Sequence, residues 1–373
     1  MENDYDLLVI GGGIMGCSLA WGAARTGARV AVVDGNDRDF RASVGNFGLI
    51  WTQGKGANEP AYADWTRRAA RCWPEFARCL EATTGIDIGF QQKGGLSFVF
   101  SKQEADKRMT MLGTSPDEFR IEMILADDLR ATLPDVGPEV YGATFSKGDG
   151  AVNPLLLLRA LQVALRACNV TIIPRQKVEA IAIKSDGFAL NLDGQTLGAR
   201  RVILAAGLGN LTLAESLDIK LALFAQRGQL LITSRTAPFL HLPNTSVRQN
   251  RDGTVFLGST QENVGLDKSI EVGALAGIAA RAIRAFPRIA DLDVIRSWSC
   301  LRIMTPDGLP IYQESDSYPG AFVATAHSGI TLAGIHALEL GPQLVNSGLP
   351  AALAPFSAGR FDDWHAHAGG ESH

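Results

Sequence analysis

Residues 5 to 34 open as Tyr5-Asp-Leu-Leu-Val-Ile-Gly11-Gly-Gly13-Ile-Met-Gly16 and close as Ala28-Arg-Val-Ala-Val-Val33-Asp34. The unbroken apolar run Leu7 to Ile10 reads as a strand buried on both faces. It stops at Gly11, and Gly11, Gly13 and Gly16 carry the G-x-G-x-x-G spacing. The first glycine permits a tight turn, the second lets backbone approach a pyrophosphate, and the third lets helix pack on strand. Ile14 to Thr26 fits that helix, Gly27 ends it, and Arg29 to Val33 is a second parallel strand. The first helical N–H groups, at Ile14 and Met15, suit phosphate oxygens without a side-chain cation. Asp34 stands where a carboxylate accepts ribose hydroxyls. A glycine pattern alone is common; seated between strand and helix, with an acid closing the next strand, it points to an adenine dinucleotide.

Composition narrows the rest. A chain of 373 residues with 46% hydrophobic content can build two full cores. A net charge of −4 supplies no basic field for nucleic acid. No run of about 18 apolar residues is present, so no membrane span is expected. Cys17, Cys72, Cys79, Cys168 and Cys300 show no C-x-x-C spacing. Scattered thiols, and a first strand with no signal peptide before it, lead to the expectation of a cytoplasmic protein. No Cys/His cluster suggests a metal, and His365, His367 and His373 read as a frayed tail.

NAD is usually carried on one contiguous unit, whereas an N-terminal FAD unit is commonly completed by distant segments. Two later stretches look like such completions, and a nearer loop adds to them. Ala42-Ser43 with Asn46-Phe47-Gly48 suits a loop running along a pyrophosphate and beneath a flavin. Val202 to Gly207 is an apolar strand ending in glycine, and Gly329 opens a last helix, Ile330 to Leu344. Between them the texture changes: residues 87–144 and 221–297 alternate as strands and turns. The expected architecture is α/β, a Rossmann-like FAD-binding domain (1–86, 145–220, 298–365) with an inserted α+β substrate domain (87–144, 221–297) on a mixed, largely antiparallel sheet.

With these blocks in place, the chain resembles the D-amino-acid oxidase-like FAD-dependent oxidoreductases, the glycine oxidase and sarcosine oxidase group. The resemblance covers almost the whole chain. It rests on Gly11-x-Gly13-x-x-Gly16 with Asp34, Ala42-Ser43, Asn46-Phe-Gly48, Ala205-Ala206-Gly207, Arg227-Gly228-Gln229, Asp252-Gly253-Thr-Val-Phe-Leu-Gly258, Leu301-Arg302 with Thr305-Pro-Asp307-Gly308, and Ser328-Gly-Ile-Thr-Leu332. Within the group, residues 45–56 and 302–308 are similar to the flavin subunits of opine oxidase, hydrogen cyanide synthase and D-hydroxyproline dehydrogenase. The resemblance implies extended FAD, with Val178 offering backbone to the adenine and Gly329, Ile330, Thr331 and Leu332 at the flavin pyrimidine edge. Ala206 and Gly207 would add a second nucleotide contact. It also implies hydride transfer from the carbon beside an amine to flavin N5, leaving an imine that water hydrolyses, with the cofactor carrying the difficult step.

The expected substrate is a carboxylated amine: a D-amino acid, a glycine-like molecule, or an N-substituted amino acid such as an opine or hydroxyproline. Two alternatives stand beside this: a flavin subunit of a hetero-oligomeric dehydrogenase with little activity alone, and a 2-hydroxyacid oxidase. The electron acceptor is O2 or a partner redox subunit. Arg302, in an apolar strand, needs a partner and suits a carboxylate clamp. His327 falls where relatives carry a second basic residue; imidazole there can bond a carboxylate or a flavin carbonyl. Arg248 shares a strand face with Ser246 and Asn250 and is expected to look onto the substrate; Lys55 is a weaker candidate. Cys300 has the offset from Thr305-Pro-Asp of the cysteine tethered to flavin in sarcosine oxidase, but the Leu-Arg pattern follows noncovalent members, so noncovalent FAD is expected. Asn46 stands where histidyl-flavin relatives carry histidine.

Overall fold

The computed structural model describes residues 4–35, 42–113 and 116–363. The tail histidines 365, 367 and 373 therefore lie outside the described residues.

The strand Tyr5–Ile10 lies inside an eight-stranded sheet. Val30–Asp34 pairs parallel on one side, followed by Thr171–Pro174; on the other side come Gln195–Leu204 and Ala321–Thr325, both parallel. Ile311–Glu314 closes that edge antiparallel. Period-two alternation divides the apolar run between two cores. Leu7 and Val9 face the helices Ile14–Ala24, Pro60–Thr84 and Pro154–Ala167, whereas Leu8 and Ile10 face Val178, Leu190 and Leu213. The expected strand Val202 to Gly207 begins earlier: its first half pairs antiparallel with the hairpin strand Gly187–Leu192, and only its second half joins the parallel sheet.

The expected last helix is one run in three parts, Gly329–Ile335, a π turn His336–Leu340, and Gly341–Asn346. Pro342 has no N–H to return to the carbonyl four residues back, and the widened turn absorbs the gap. This run presses on the helix Ile14–Ala24. A Cβ at Gly22 would stand 2.3 Å from the Ala337 carbonyl oxygen, and one at Gly341 would stand 2.4 Å from that of Leu19.

The antiparallel part is two sheets. Gly95–Val99, Gly142–Ser146 and Ile121–Leu125 form one; Val247–Gln249, Val255–Gly258, Phe224–Thr233 and Val294–Met304 form the other. A single parallel bridge between Leu96 and Asn244 joins them over a third core that includes Phe239, Leu257 and Phe286. The fold is thus the mixed α/β arrangement expected. The position of one segment changes, however. Val294–Met304 pairs with Phe224–Thr233 along nearly its whole length, so a nucleotide unit resuming at 298 would start inside a strand of the other sheet. The crossover back comes after Met304, and the strand carrying Arg302 belongs to the antiparallel sheet.

Candidate active site

The C-terminal ends of the parallel strands open on a cavity of about 760 Å3. Gly11, Gly13, Ile14 and Met15 line it at the first turn; Asp34, Ala42, Ser43 and Asn46 follow, with Val178, Ala206 and Gly207 beyond. Ala326, His327, Gly329 and Ile330 complete its wall. Segments more than 300 residues apart in sequence thus meet in one place, which local pattern alone does not reveal.

Close approach explains the glycines. Gly11 has φ +116°, and a Cβ there would stand 2.3 Å from the Ala205 carbonyl oxygen. Gly16 does not line the cavity; a Cβ on it would meet the Gly11 carbonyl oxygen at 2.0 Å, so its work is helix-on-strand packing. Gly12 lies against the Asp34 carboxylate, where a Cβ would be 2.9 Å away. The Ser43 hydroxyl accepts a hydrogen bond from the Ile14 amide at 3.0 Å, tying the next loop to the helix start. A helix start, glycine-lined backbone and an acid at the second strand end form a cradle that fits an extended dinucleotide.

Other expected contacts are elsewhere. Thr331 turns its hydroxyl to the Trp51 amide at 3.1 Å, and Leu332 is wholly buried in the core, so the cavity wall stops at Ile330. Gly48, at φ +88°, packs on Val152. Phe47 offers its carbonyl to Arg248 Nε at 2.7 Å.

Arg248 does share a face with Asn250, whose Oδ1 accepts from its guanidinium at 2.6 Å. That face does not look into the main cavity. The side chain is buried among Phe47 and Phe256 and borders a separate hollow of about 280 Å3. Burial lowers its pKa to about 10. Period two gives the face of a strand, not what lies opposite it; Arg248 holds the Phe47 carbonyl and Asn250, and its Nη2 is buried without a hydrogen-bond partner among the described residues.

The chemistry gathers where the antiparallel sheet meets the cavity. Arg302, half-buried beside the cavity residue Ile303, donates to the Ser259 hydroxyl at 2.6 Å and the Arg227 carbonyl at 3.3 Å. Neither partner is charged. Gly228 leaves room for it: a Cβ there would stand 2.6 Å from Nη2. Burial lowers the Arg302 pKa, against smaller opposing effects of Cys300 and Glu262. Cys300, on the same strand face, donates to the Gly45 carbonyl at 3.4 Å, and burial raises its pKa.

His327 Nε2 lies 2.5 Å from Lys55 Nζ, which also donates to the Ser328 hydroxyl at 2.8 Å. Tyr62 donates to the same hydroxyl at 3.0 Å. The nearby Lys55 charge, burial and Arg302 hold the His327 pKa well below its ordinary value, while a backbone bond with Gly308 acts weakly the other way. His327 is therefore neutral, and its ring nitrogen accepts from the lysine. Lys55, lowered to about 8 by burial and then by Arg302, remains the cation at pH 7. The sequence places a hydrogen-bonding imidazole at position 327, and the positive charge beside it sits on Lys55. One signal in the sequence marked it: between Ala42 and Asn58 no other residue is charged.

On the other side of this loop, Asp149 accepts from the Thr52 amide and hydroxyl, each at 2.6 Å, and from Gln53 at 2.8 Å. Burial without a cation pushes its pKa up to about 7. Among the described residues no group of three or more His, Cys, Asp or Glu could hold a metal ion, and no helix is long and apolar enough to cross a membrane.

Comparison with known proteins follows the same lines. A family model described as FAD dependent oxidoreductase matches residues 6–341. An opine oxidase subunit from Rhizobium meliloti is 37% identical, covering 96% of this chain and 98% of its own. Hydrogen cyanide synthase subunit HcnC from Pseudomonas aeruginosa is 26% identical over 97% of each chain. The crystal structure of glycine oxidase from Geobacillus kaustophilus superposes with a TM-score of 0.85 at 25% identity, covering 98% of this chain and 99% of that one.

Proposed function

We propose, for a chain that belongs to the FAD dependent oxidoreductase family, oxidation of a carboxylated amine at the carbon beside its nitrogen. The family's enzymes among its relatives act on amino-acid-like donors, opine oxidase and glycine oxidase being two. The single observation that carries the substrate reading is Arg302: a half-buried guanidinium near His327 of the cavity wall, whose hydrogen bonds all go to neutral oxygens. A desolvated cation held this way is completed by an incoming carboxylate, which the guanidinium receives as a planar fork.

FAD would lie along Gly11, Gly13, Ile14, Met15, Asp34, Ser43, Asn46, Val178, Ala206, Gly207, Gly329 and Ile330. When bound, FAD supplies the two-electron acceptor for the substrate's hydride. Arg302 anchors the substrate carboxylate, and Ser259 fixes the guanidinium. The neutral His327 in the wall has its Nε2 engaged by Lys55. We assign the cofactor as noncovalent because Cys300 is a half-buried thiol bonded to Gly45 rather than an activated thiolate.

The nucleotide unit in this proposal comprises 1–86, 145–220 and the chain after Met304, with the remainder forming the substrate unit. The names of two relatives as subunits support the reading that this chain works with a partner that receives its electrons. Five free cysteines are in keeping with a cytoplasmic location. An anaerobic screen for flavin bleaching by D-amino acids, sarcosine, hydroxyprolines and opines tests the substrate class; bleaching by 2-hydroxyacids alone would replace it. Hydrogen peroxide production by the isolated chain would argue against an obligatory partner.

A further inference from the structure

The proposed chemistry leaves the buried charge of Arg248 unused. This residue is 4% exposed, and its Nε and Nη1 donate to the Phe47 carbonyl and the Asn250 side chain. Its Nη2 is buried with no acceptor among the described residues. A guanidinium donor closed off from water and left unbonded costs stability until something accepts from it. Asp252 bears on Arg248 without bonding it, because its Oδ1 accepts from the Thr254 amide and hydroxyl. Burial lowers the Arg248 pKa to about 10, so the charge persists at pH 7.

Arg248 lines a hollow of about 280 Å3 that shares no lining residue with the nucleotide cavity. Stretches within 87–91, 151–156 and 240–252 meet there. Asp87 and Arg251 stand in its wall and pair with each other, so of the two arginines in the wall only Arg251 has a bonded acid among the described residues. The 14-residue helix Pro154–Ala167 starts at the same wall, with Asn153 and Leu156 lining it and no acid in the first turn. Asn153 Oδ1 caps the Leu155 and Leu156 amides, so the helix offers the hollow its positive end rather than free amides. Leu156, Leu240 and Pro243 supply an apolar surface beside these charges.

We propose that this hollow is a second ligand site, one that takes a small monocarboxylate with an apolar body and uses the carboxylate to complete the Arg248 guanidinium. The volume falls just short of the range for drug-sized ligands, about 300 Å3 and above, which limits the occupant to a few carbons beyond the carboxylate. Its single charge follows from the balance of the wall. Arg248 and Arg251 stand against Asp87 and Asp252, so a second negative charge would face two acids with no cation left to meet it. The same guanidinium holds Phe47, the residue after Asn46 of the FAD cavity, so occupancy bears on the loop beside the cofactor. The site goes beyond the carboxylated-amine reading and does not depend on it.

The test is calorimetric titration of the holoenzyme with 3-methylbutanoate, followed in parallel by flavin absorbance. Two equivalents should bind per chain, one perturbing the flavin spectrum through the Arg302 site and one spectrally silent. Arg302→Ala should keep only the silent equivalent, and Arg248→Met only the one the flavin reports. In Arg302→Ala, the uncharged 3-methylbutanamide and inorganic phosphate should each bind at least about tenfold more weakly than the carboxylate, the scale of losing a charge-assisted hydrogen bond or of adding an unmatched charge. Absence of the silent equivalent from Arg302→Ala, its survival in Arg248→Met, an amide that binds as well, or phosphate that binds as tightly would each overturn the proposal. Should Arg248→Met lose FAD, Leu156→Trp, which fills the hollow and leaves the guanidinium in place, decides in its stead: a silent equivalent that persists there overturns the site. A silent equivalent without any flavin perturbation in the wild type would instead count against the Arg302 clamp and leave the hollow standing.

Discussion

Arg227 and Arg302 belong to paired strands of one sheet and meet opposite fates. Arg227 is 1% exposed and bonds three carboxylates, Glu262, Asp267 at 2.6 Å and Glu271, with Ser269 as a further acceptor at 2.8 Å. Arg302 bonds none among the described residues. The two guanidiniums point to opposite faces, as period two requires. On one face a loop returns to neutralise the charge and is itself pinned; on the other the charge is left for something the chain does not contain. Between them Gly228 does for Arg302 what the carboxylates do for Arg227, giving it a place to stand. An arginine whose counter-charges are built in is structural, and one held only by neutral oxygens is what the proposed carboxylate clamp requires.

Removing Arg302 should therefore have the largest functional effect. Arg302→Ala is expected to lower kcat/KM by about 3 kcal/mol or more, roughly 150-fold, the scale of leaving a desolvated carboxylate unpaired. FAD content, read from the absorbance ratio, should stay near wild type. Lost flavin with unchanged turnover per flavin still bound would erase the contrast and make both arginines structural.

Arg227→Met should act in the complementary way. Its carboxylate partners are 20%, 49% and 59% exposed and can turn to water. The cost should fall below that of breaking a fully buried pair, about 2 kcal/mol of stability. Limited proteolysis should find new cleavage within 262–271, and kcat/KM of the folded fraction should change little. A large fall in kcat/KM without loss of stability would show Arg227 acting through Arg302.

Gly228→Ala sharpens the comparison with a single methyl. The added Cβ meets the mobile end of Arg302 rather than backbone, so the fold should tolerate it while the guanidinium is displaced. A fall of about tenfold in kcat/KM with an unchanged melting temperature is expected, the scale of misplacing a positioning group. Normal turnover would show that Arg302 has slack, which a clamp should not have.

The turn Gly11 to Gly16 with Asp34 was legible in the sequence because its demands are local: a tight turn, a helix start, an acid one strand away. The distant completions at Ser43, Val178, Gly207 and Gly329 were legible as glycine-rich or apolar strand ends, and they converge on one cavity. The roles of individual charges were not. Arg227 and Arg302 look alike as arginines in apolar strands, and what separates them is a set of carboxylates 35 to 44 residues further on. Arg248 had the right neighbours on its face, but a strand does not say which hollow that face borders. Which of His327 and Lys55 keeps its proton was not legible, because burial and mutual repulsion, absent from any local pattern, decide it.

Cys300 gives the smallest expected effect and the finest division of the face that carries Arg302. It sits two residues before the clamp on the same strand side, where a nucleophilic thiol would be placed to tether the cofactor. Three features oppose that role. The thiol donates to the Gly45 carbonyl at 3.4 Å, so its proton is engaged. Burial outweighs the lowering influence of Arg302 and raises its pKa, so the thiolate, the reacting form, is scarce at neutral pH. A Cβ at Gly45 would stand 2.5 Å from that of Cys300, so the residue is there as a small filler against a glycine loop. Cys300→Ser, which keeps the size and the donor, should leave FAD content unchanged and kcat/KM within about 0.5 kcal/mol of wild type, the scale of a substitution that removes no required interaction. Acid precipitation of the wild-type protein should release all flavin to the supernatant. Flavin that stays on the peptide, and leaves it only in Cys300→Ser, would show that the Arg302 face binds the cofactor covalently as well as the substrate.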